Sequence, residues 1–109
     1  MFAIIINTQF SATHCWPECP IEKVSFLKTP HRHVFHVRMK KKVYHDDRDV
    51  EFIHFKNNVE EWINENWDKK DLGTMSCEQM AQELSKRYDC FYVRVMEDNE
   101  NGAEYFAGI

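Results

Sequence analysis

Apolar and polar residues alternate from the start of the chain. Over residues 2–14, Phe2, Ile4, Ile6, Phe10 and Ala12 share one face with His14, and Asn7, Gln9, Ser11 and Thr13 share the other. This two-residue period predicts a half-buried strand. The period returns over 31–45, where Phe35, Val37, Met39 and Val43 have the parity of His31 and His33, while Arg32, His36, Arg38, Lys40 and Lys42 lie opposite. Between these stretches, residues 15–30 carry all three prolines and no clear period. They predict a long loop, with Pro30 fixing the way into the second strand. A loop of that length in a small domain is more often functional than idle.

After a polar turn at 46–49 the period lengthens. Phe52, Phe55, Val59, Trp62 and Ile63 recur at helical spacing within 51–67, with Asp49 or a neighbour placed to cap the start. Residues 68–75 include Gly73 and predict a loop. Ser76-Cys77-Glu78-Gln79 fits a capping box and opens a second helix with Cys77, Met80, Ala81, Leu84 and Tyr88 as its apolar stripe. Over 90–97, Phe91, Val93 and Val95 share a strand face with Glu97. Residues 98–102 predict a hairpin turn, with Gly102 where a positive φ costs little, and 103–109 a short fourth strand.

The order β-β-α-α-β-β predicts an α+β fold, two helices covering one face of an antiparallel four-stranded sheet. At 109 residues the chain is read as one domain, 1–109. Four strands leave two edges unpaired and the last strand is apolar to its end, which predicts a homo-oligomer.

Composition narrows the function classes. An aromatic fraction of 14% argues against disorder, and a net charge of −4 with mixed signs argues against a general nucleic-acid binder. The basic run Arg38-Met39-Lys40-Lys41-Lys42 reads as a solvated strand, with contact to an anionic small molecule as the alternative. No apolar run approaches the ~20 residues that span a bilayer, and the N-terminus lacks the pattern of a signal peptide. The expectation is a cytoplasmic protein without membrane contact, in which Cys15, Cys19, Cys77 and Cys90 are reduced.

The chemistry gathers at the strand ends. His31 and His33, at i and i+2 on an extended chain, point to one face and can share an ion. His14 closes the buried face of the other strand in the same way. Three imidazoles with a fourth position open are the ligand set of a catalytic zinc. Cys15-x-x-x-Cys19 has a spacing that zinc sites use, but no second pair follows at finger spacing. His36, His45 and His54 read as surface residues.

These motifs, in this order, resemble the 6-pyruvoyltetrahydropterin synthase and 6-carboxytetrahydropterin synthase family of the tunnelling fold, over nearly the whole chain. Phe10-Ser11-Ala12-Thr13-His14 resembles the family's F-x-A-x-H and His31-Arg32-His33 its H-G-H. Glu51-Phe52 with Lys56 resembles its D-F-x-x-L-K, and Thr74-Met75-Ser76-Cys77-Glu78 with Ala81 its P-T-x-E-x-x-A. Glu97, ahead of Tyr105, resembles the glutamate of its E-T motif. The resemblance implies Zn2+ on His14, His31 and His33, and a pterin ring anchored by Glu97. It also implies 7,8-dihydroneopterin triphosphate as substrate, carbon–oxygen lyase chemistry, and a trimer or hexamer with sites between subunits.

The chain departs from the family at three places. The catalytic cysteine position holds Leu27, the region of the Asp-His pair reads Asn64-Glu65-Asn66-Trp67-Asp68, and the central glycine of H-G-H is Arg32. Substitutes for the proton relay are Cys15 and Cys19, otherwise loop-packing cysteines, and Asp68 and Asp71, otherwise solvated acids at a helix end. The sequence therefore carries two functional readings, beside that of a purely structural oligomer in which the histidines are packing residues. One is a zinc-dependent pterin synthase-like lyase. The other is a family member without catalysis that binds a metal and a pterin or purine-like ligand.

Overall fold

The computed structural model describes residues 1–108. Strand β1 (Phe2–His14) pairs antiparallel with β2 (His31–Val43) along its whole length, from Phe2 opposite Val43 to His14 opposite His31. Helix α1 (Phe52–Asn66) and helix α2 (Cys77–Tyr88) follow, then β3 (Tyr92–Glu97) and β4 (Asn101–Phe106), in the expected order. The sheet runs β1-β2-β3-β4, antiparallel throughout. The final strand expected over 103–109 starts earlier and ends at Phe106, and Ile109 lies outside the described residues.

The apolar parity of the strands supplies the floor of the core. Ile6, Phe10 and Ala12 of β1, Phe35, Val37 and Met39 of β2, and Val93 and Val95 of β3 are buried in one cluster. Phe55, Val59 and Ile63 of α1 and Met80, Ala81 and Leu84 of α2 close it from above. Both helices therefore lie on the face that carries the three histidines. Lys41 has the same parity but stays out of the core. Its ammonium donates to Tyr88 O and Asp89 O at 2.7 and 3.2 Å, satisfying carbonyls at the negative end of α2.

Local chemistry refines the sequence reading at four points. The loop 15–30 contains a 3-10 segment, Glu22–Lys28, broken by a non-helical Val24. Of Asp49 and its neighbours it is Glu51 that caps α1, accepting from the backbone N–H groups of Ile53 and His54 at 3.0 and 2.9 Å. Asp49 instead accepts the N–H of Tyr44 at 2.8 Å and closes the turn after β2. The β3–β4 turn takes its positive φ at Asp98 (51°) and Asn99 (59°), and Gly102 serves a different need. A Cβ at Gly102 would stand 2.0 Å from Val95 O and 2.6 Å from Met96 Cα, so glycine is required there for close strand approach. The capping box at α2 forms as read, with Ser76 and Gln79 bonded reciprocally.

The far end of β1 is held from outside. Thr13 N–H donates to Lys70 O at 3.0 Å, Leu72 N–H to Thr13 O at 2.8 Å, and Cys15 N–H to Gly73 O at 2.9 Å. This segment pairs beside β1 like a short extra strand and fixes the backbone that carries His14. Beyond it, Ile5 and Phe106 on the sheet's other face are each 51% exposed, and β1 and β4 are its two edges. Among the described residues no helix is long and apolar enough to cross a membrane.

Candidate metal centre

Register brings the three imidazoles together. His14 lies directly opposite His31, and His33 lies opposite Ala12, so the three side chains rise from adjacent rows on one face. Their ring centroids are 4.7 to 5.6 Å apart. One nitrogen from each falls within 4.8 Å of the others. A slip of one residue between β1 and β2 would send His14 to the opposite face from His31 and His33.

Each ring is oriented from behind. His14 Nδ1–H donates to Met75 O at 2.8 Å, and His31 Nδ1–H to Thr29 O at 2.9 Å. His33 Nδ1–H donates to the Asp98 carboxylate at 2.6 Å. None of these partners offers a proton, so in the neutral rings the lone pair sits on Nε2. Three Nδ1–H groups held from behind, which leave each Nε2 as the ligating atom, are the outer-partner arrangement of metal-binding histidines.

Glu97 completes the cluster. It sits opposite Phe35 in the β2–β3 register, diagonal to His33. Its carboxylate oxygens stand 2.9 Å from His14 Nε2 and 3.6 Å from His33 Nε2. A carboxylate facing an imidazole lone pair at 2.9 Å is repulsive unless a proton or a cation lies between them. Without a metal the proton takes that place: the Glu97 hydrogen bond raises the His14 pKa above its ordinary value, and the His14 bond in turn lowers that of Glu97. His33 Nε2 remains buried and without a hydrogen-bond partner among the described residues. An orphaned acceptor beside two further imidazoles is what an electron-pair acceptor would satisfy. On that observation the three histidines fit a divalent metal with nitrogen preference.

This pairing predicts a pH signature for the metal-free chain. The His14 contribution is fully present below pH 6.5 and is lost as pH rises through its raised folded pKa. The Glu97 contribution is fully present above pH 4.5 and is lost as pH falls through its lowered folded pKa. Both hold between about pH 4.5 and 6.5. Glu97→Gln is therefore expected to destabilise the metal-free chain by about 1–3 kcal/mol near pH 5.5, and by clearly less near pH 8.5. Urea unfolding at the two pH values measures this, and an equal loss at both would contradict it.

A cavity of about 570 Å³ adjoins the cluster, within the range that holds small organic ligands. His14, His31 and Glu97 form one wall, Cys15, Trp16 and Leu27 come from the long loop, and Thr74 to Gln79 bring the start of α2. Of the four thiols, all free, two reach this cavity. Burial, with Glu97 beside it, pushes the Cys77 thiol up to about 12, so it stays protonated and leans toward Glu97 at 3.7 Å. Cys15 lines the cavity half-buried. Cys19 is buried away from it, its thiol toward Ile21 O and Val24 O. Asp68 and Asp71 also lie outside the lining. Asp68 accepts the Ser11 N–H at 3.0 Å and Asp71 the Gly73 N–H at 2.9 Å, which anchors the segment flanking β1. Leu27 fills the wall where the resemblance would have a thiol. Sequence patterning does not single out Asp98 or Cys77 for the site. The one available signal for Asp98 is an acid immediately after the strand-ending Glu97.

No protein-family model matches the sequence, and no curated protein matches it. Among solved structures, the chain is similar to the 6-pyruvoyl tetrahydropterin synthase of Caenorhabditis elegans, with a TM-score of 0.77 at 13% identity. The alignment covers 98% of this chain and 96% of that one. At this identity the likeness shows the fold: the chain has the α+β architecture of a pyruvoyl tetrahydropterin synthase, as its motifs implied.

Proposed function

We propose that the chain is a zinc-dependent, pterin synthase-like protein, 1–109 forming one such domain, that acts on 7,8-dihydroneopterin triphosphate in the carbon–oxygen lyase class. The observation that carries the reading is the convergence of three outward-anchored imidazoles on a buried, unpartnered Nε2 beside a ligand-sized cavity. His14, His31 and His33 would hold Zn2+, chosen over harder cations because all three donors are imidazole nitrogens. Zinc there would supply Lewis-acid polarisation of the substrate's side-chain oxygens.

The chain's own residues do the rest. The Glu97 carboxylate accepts N–H donors from the ring edge and fixes its orientation, since an ionised carboxylate has only acceptors to offer. The Cys77 thiol, protonated at neutral pH, donates weakly to Glu97 and is no nucleophile. Of the four relay substitutes, Cys15 alone reaches the cavity, which supports it over Cys19, Asp68 and Asp71 for moving a proton. The described cavity wall carries no Lys or Arg, so the triphosphate would be held by basic residues of a neighbouring copy. That fits a trimer or hexamer built through the open edges of β1 and β4, in a cytoplasmic setting that keeps the thiols reduced.

A second reading is favoured by Leu27 in the cavity wall. With no thiol at that position, the protein binds metal and a pterin or purine-like heterocycle without turning it over. One experiment separates the two. The purified chain is loaded with zinc, incubated with 7,8-dihydroneopterin triphosphate, and followed for release of triphosphate and for binding by calorimetry. Triphosphate release that is lost in Cys15→Ala supports the enzyme. Tight binding without release sinks it in favour of the binder, and neither binding nor release removes both.

A further inference from the structure

We infer that Asp98 is a positioning residue of the metal centre: by accepting the Nδ1–H of His33 it holds that ring in the tautomer whose Nε2 lone pair faces His14 and Glu97. The inference rests on the zinc reading above and adds a residue that the resemblance did not supply.

Asp98 grips the strand on both sides of its backbone. One carboxylate oxygen takes His33 Nδ1–H at 2.6 Å and the other takes the Val34 N–H at 3.0 Å. Its own N–H donates to Val34 O at 2.8 Å. Three bonds thus tie the β3–β4 turn to the stretch of β2 that carries His33. The carboxylate can do this because Asp98 and Asn99 both sit in left-handed backbone, the pair of positive φ values that a tight hairpin turn needs. Glu100 N–H closes the turn on Glu97 O at 2.9 Å.

Few residues suit that backbone. Gly, Asn and Asp enter it at low cost. Among these only Asp offers two acceptors at once. Glycine offers none. Asparagine has one carbonyl and one NH2 group, so it must turn the NH2 either toward Val34 N–H or toward His33 Nδ1. In the second case a donor meets a donor, and the ring is driven to place its proton on Nε2, where it blocks the metal. With the ring held by Asp98, the buried His33 Nε2 has no hydrogen-bond partner among the described residues, with the Glu97 carboxylate 3.6 Å away, an arrangement that suits a site receiving a cation.

The test compares wild type with D98N and with D98G, which suits the left-handed backbone and carries no acceptor. Zinc affinity is measured by competition with a chromophoric chelator, and the His33 tautomer in the metal-free chain by imidazole nitrogen NMR. The expected result is a loss of about 10- to 100-fold in zinc affinity for both variants. Wild-type His33 is expected to carry its proton on Nδ1, and D98N to shift it toward Nε2. A wild type that binds zinc, beside variants that bind as tightly with an unchanged tautomer, overturns this inference alone. A wild type that takes up no zinc overturns the zinc reading and the role of Asp98 with it.

Discussion

Replacing His31 with alanine is expected to lower zinc affinity by more than about 100-fold, because loss of even an outer partner of a metal-bound histidine costs about 10- to 100-fold and here a ligand itself is removed. His31 is the cleanest of the three to change. It is half-buried, its Nδ1 partner is the local Thr29 O, and it stands at the open end of β2. His14 by contrast is buried, and its ring packs edge-on against Phe35 at 5.2 Å, so its loss would mix packing with ligation. Zinc content after gel filtration reads the outcome, with circular dichroism as the check on folding. A variant that keeps one zinc per chain, bound as tightly as in wild type, would mean that the three imidazoles do not share an ion.

The largest loss of stability is expected at Phe35. Its side chain is fully buried, with 0% exposure, at the centre of the sheet. It stacks on Phe10 at 5.2 Å and meets the rings of His14 and His33 at 5.2 and 5.8 Å. Phe35→Ala should cost about 3–5 kcal/mol, the transfer of a phenyl ring plus the cavity it leaves. Urea or guanidinium unfolding of the metal-free chain measures it. Because Phe35 is the floor under two of the imidazoles, weaker zinc binding should accompany the loss. Phe35→Leu keeps much of the volume and should fall well short of that cost. A cost under about 1 kcal/mol for the alanine variant would mean that the site can collapse around the gap, or that the sheet face is less filled than its burial indicates.

Much of the site is legible in the sequence, for one physical reason. Side chains on a strand alternate with period two, so parity alone puts His14 with Phe10 and Ala12, His31 and His33 with Phe35, and Glu97 with Val93 and Val95. The helix stripes follow from the 3.6 period in the same way, and the capping box at Ser76 from two residues with complementary hydrogen-bonding groups. Turns and caps are less legible. Of Asp49 and its neighbours, Glu51 takes the cap and Asp49 closes the preceding turn, because both can accept backbone N–H groups and only the path of the chain decides which is in reach. Gly102 suggests a positive φ but is needed for its missing Cβ, since a clash with Val95 O exists only once β3 and β4 are paired.

By itself, then, the sequence determined which residues share a face, where the helices start, and that both long strands end their buried sides in histidine. Those are properties of neighbours along one chain and need no partner. Only the tertiary structure decided the register that sets His14 opposite His31, the approach of Glu97 to His14 Nε2, and the grip of Asp98 on the back of His33. It also decided which of the two loop cysteines reaches the cavity, Cys15, and which turns to loop carbonyls, Cys19. Each of these is a distance between residues far apart in sequence. Such distances follow from how strands pair and how a turn directs a short side chain, which alternation along a single strand does not specify.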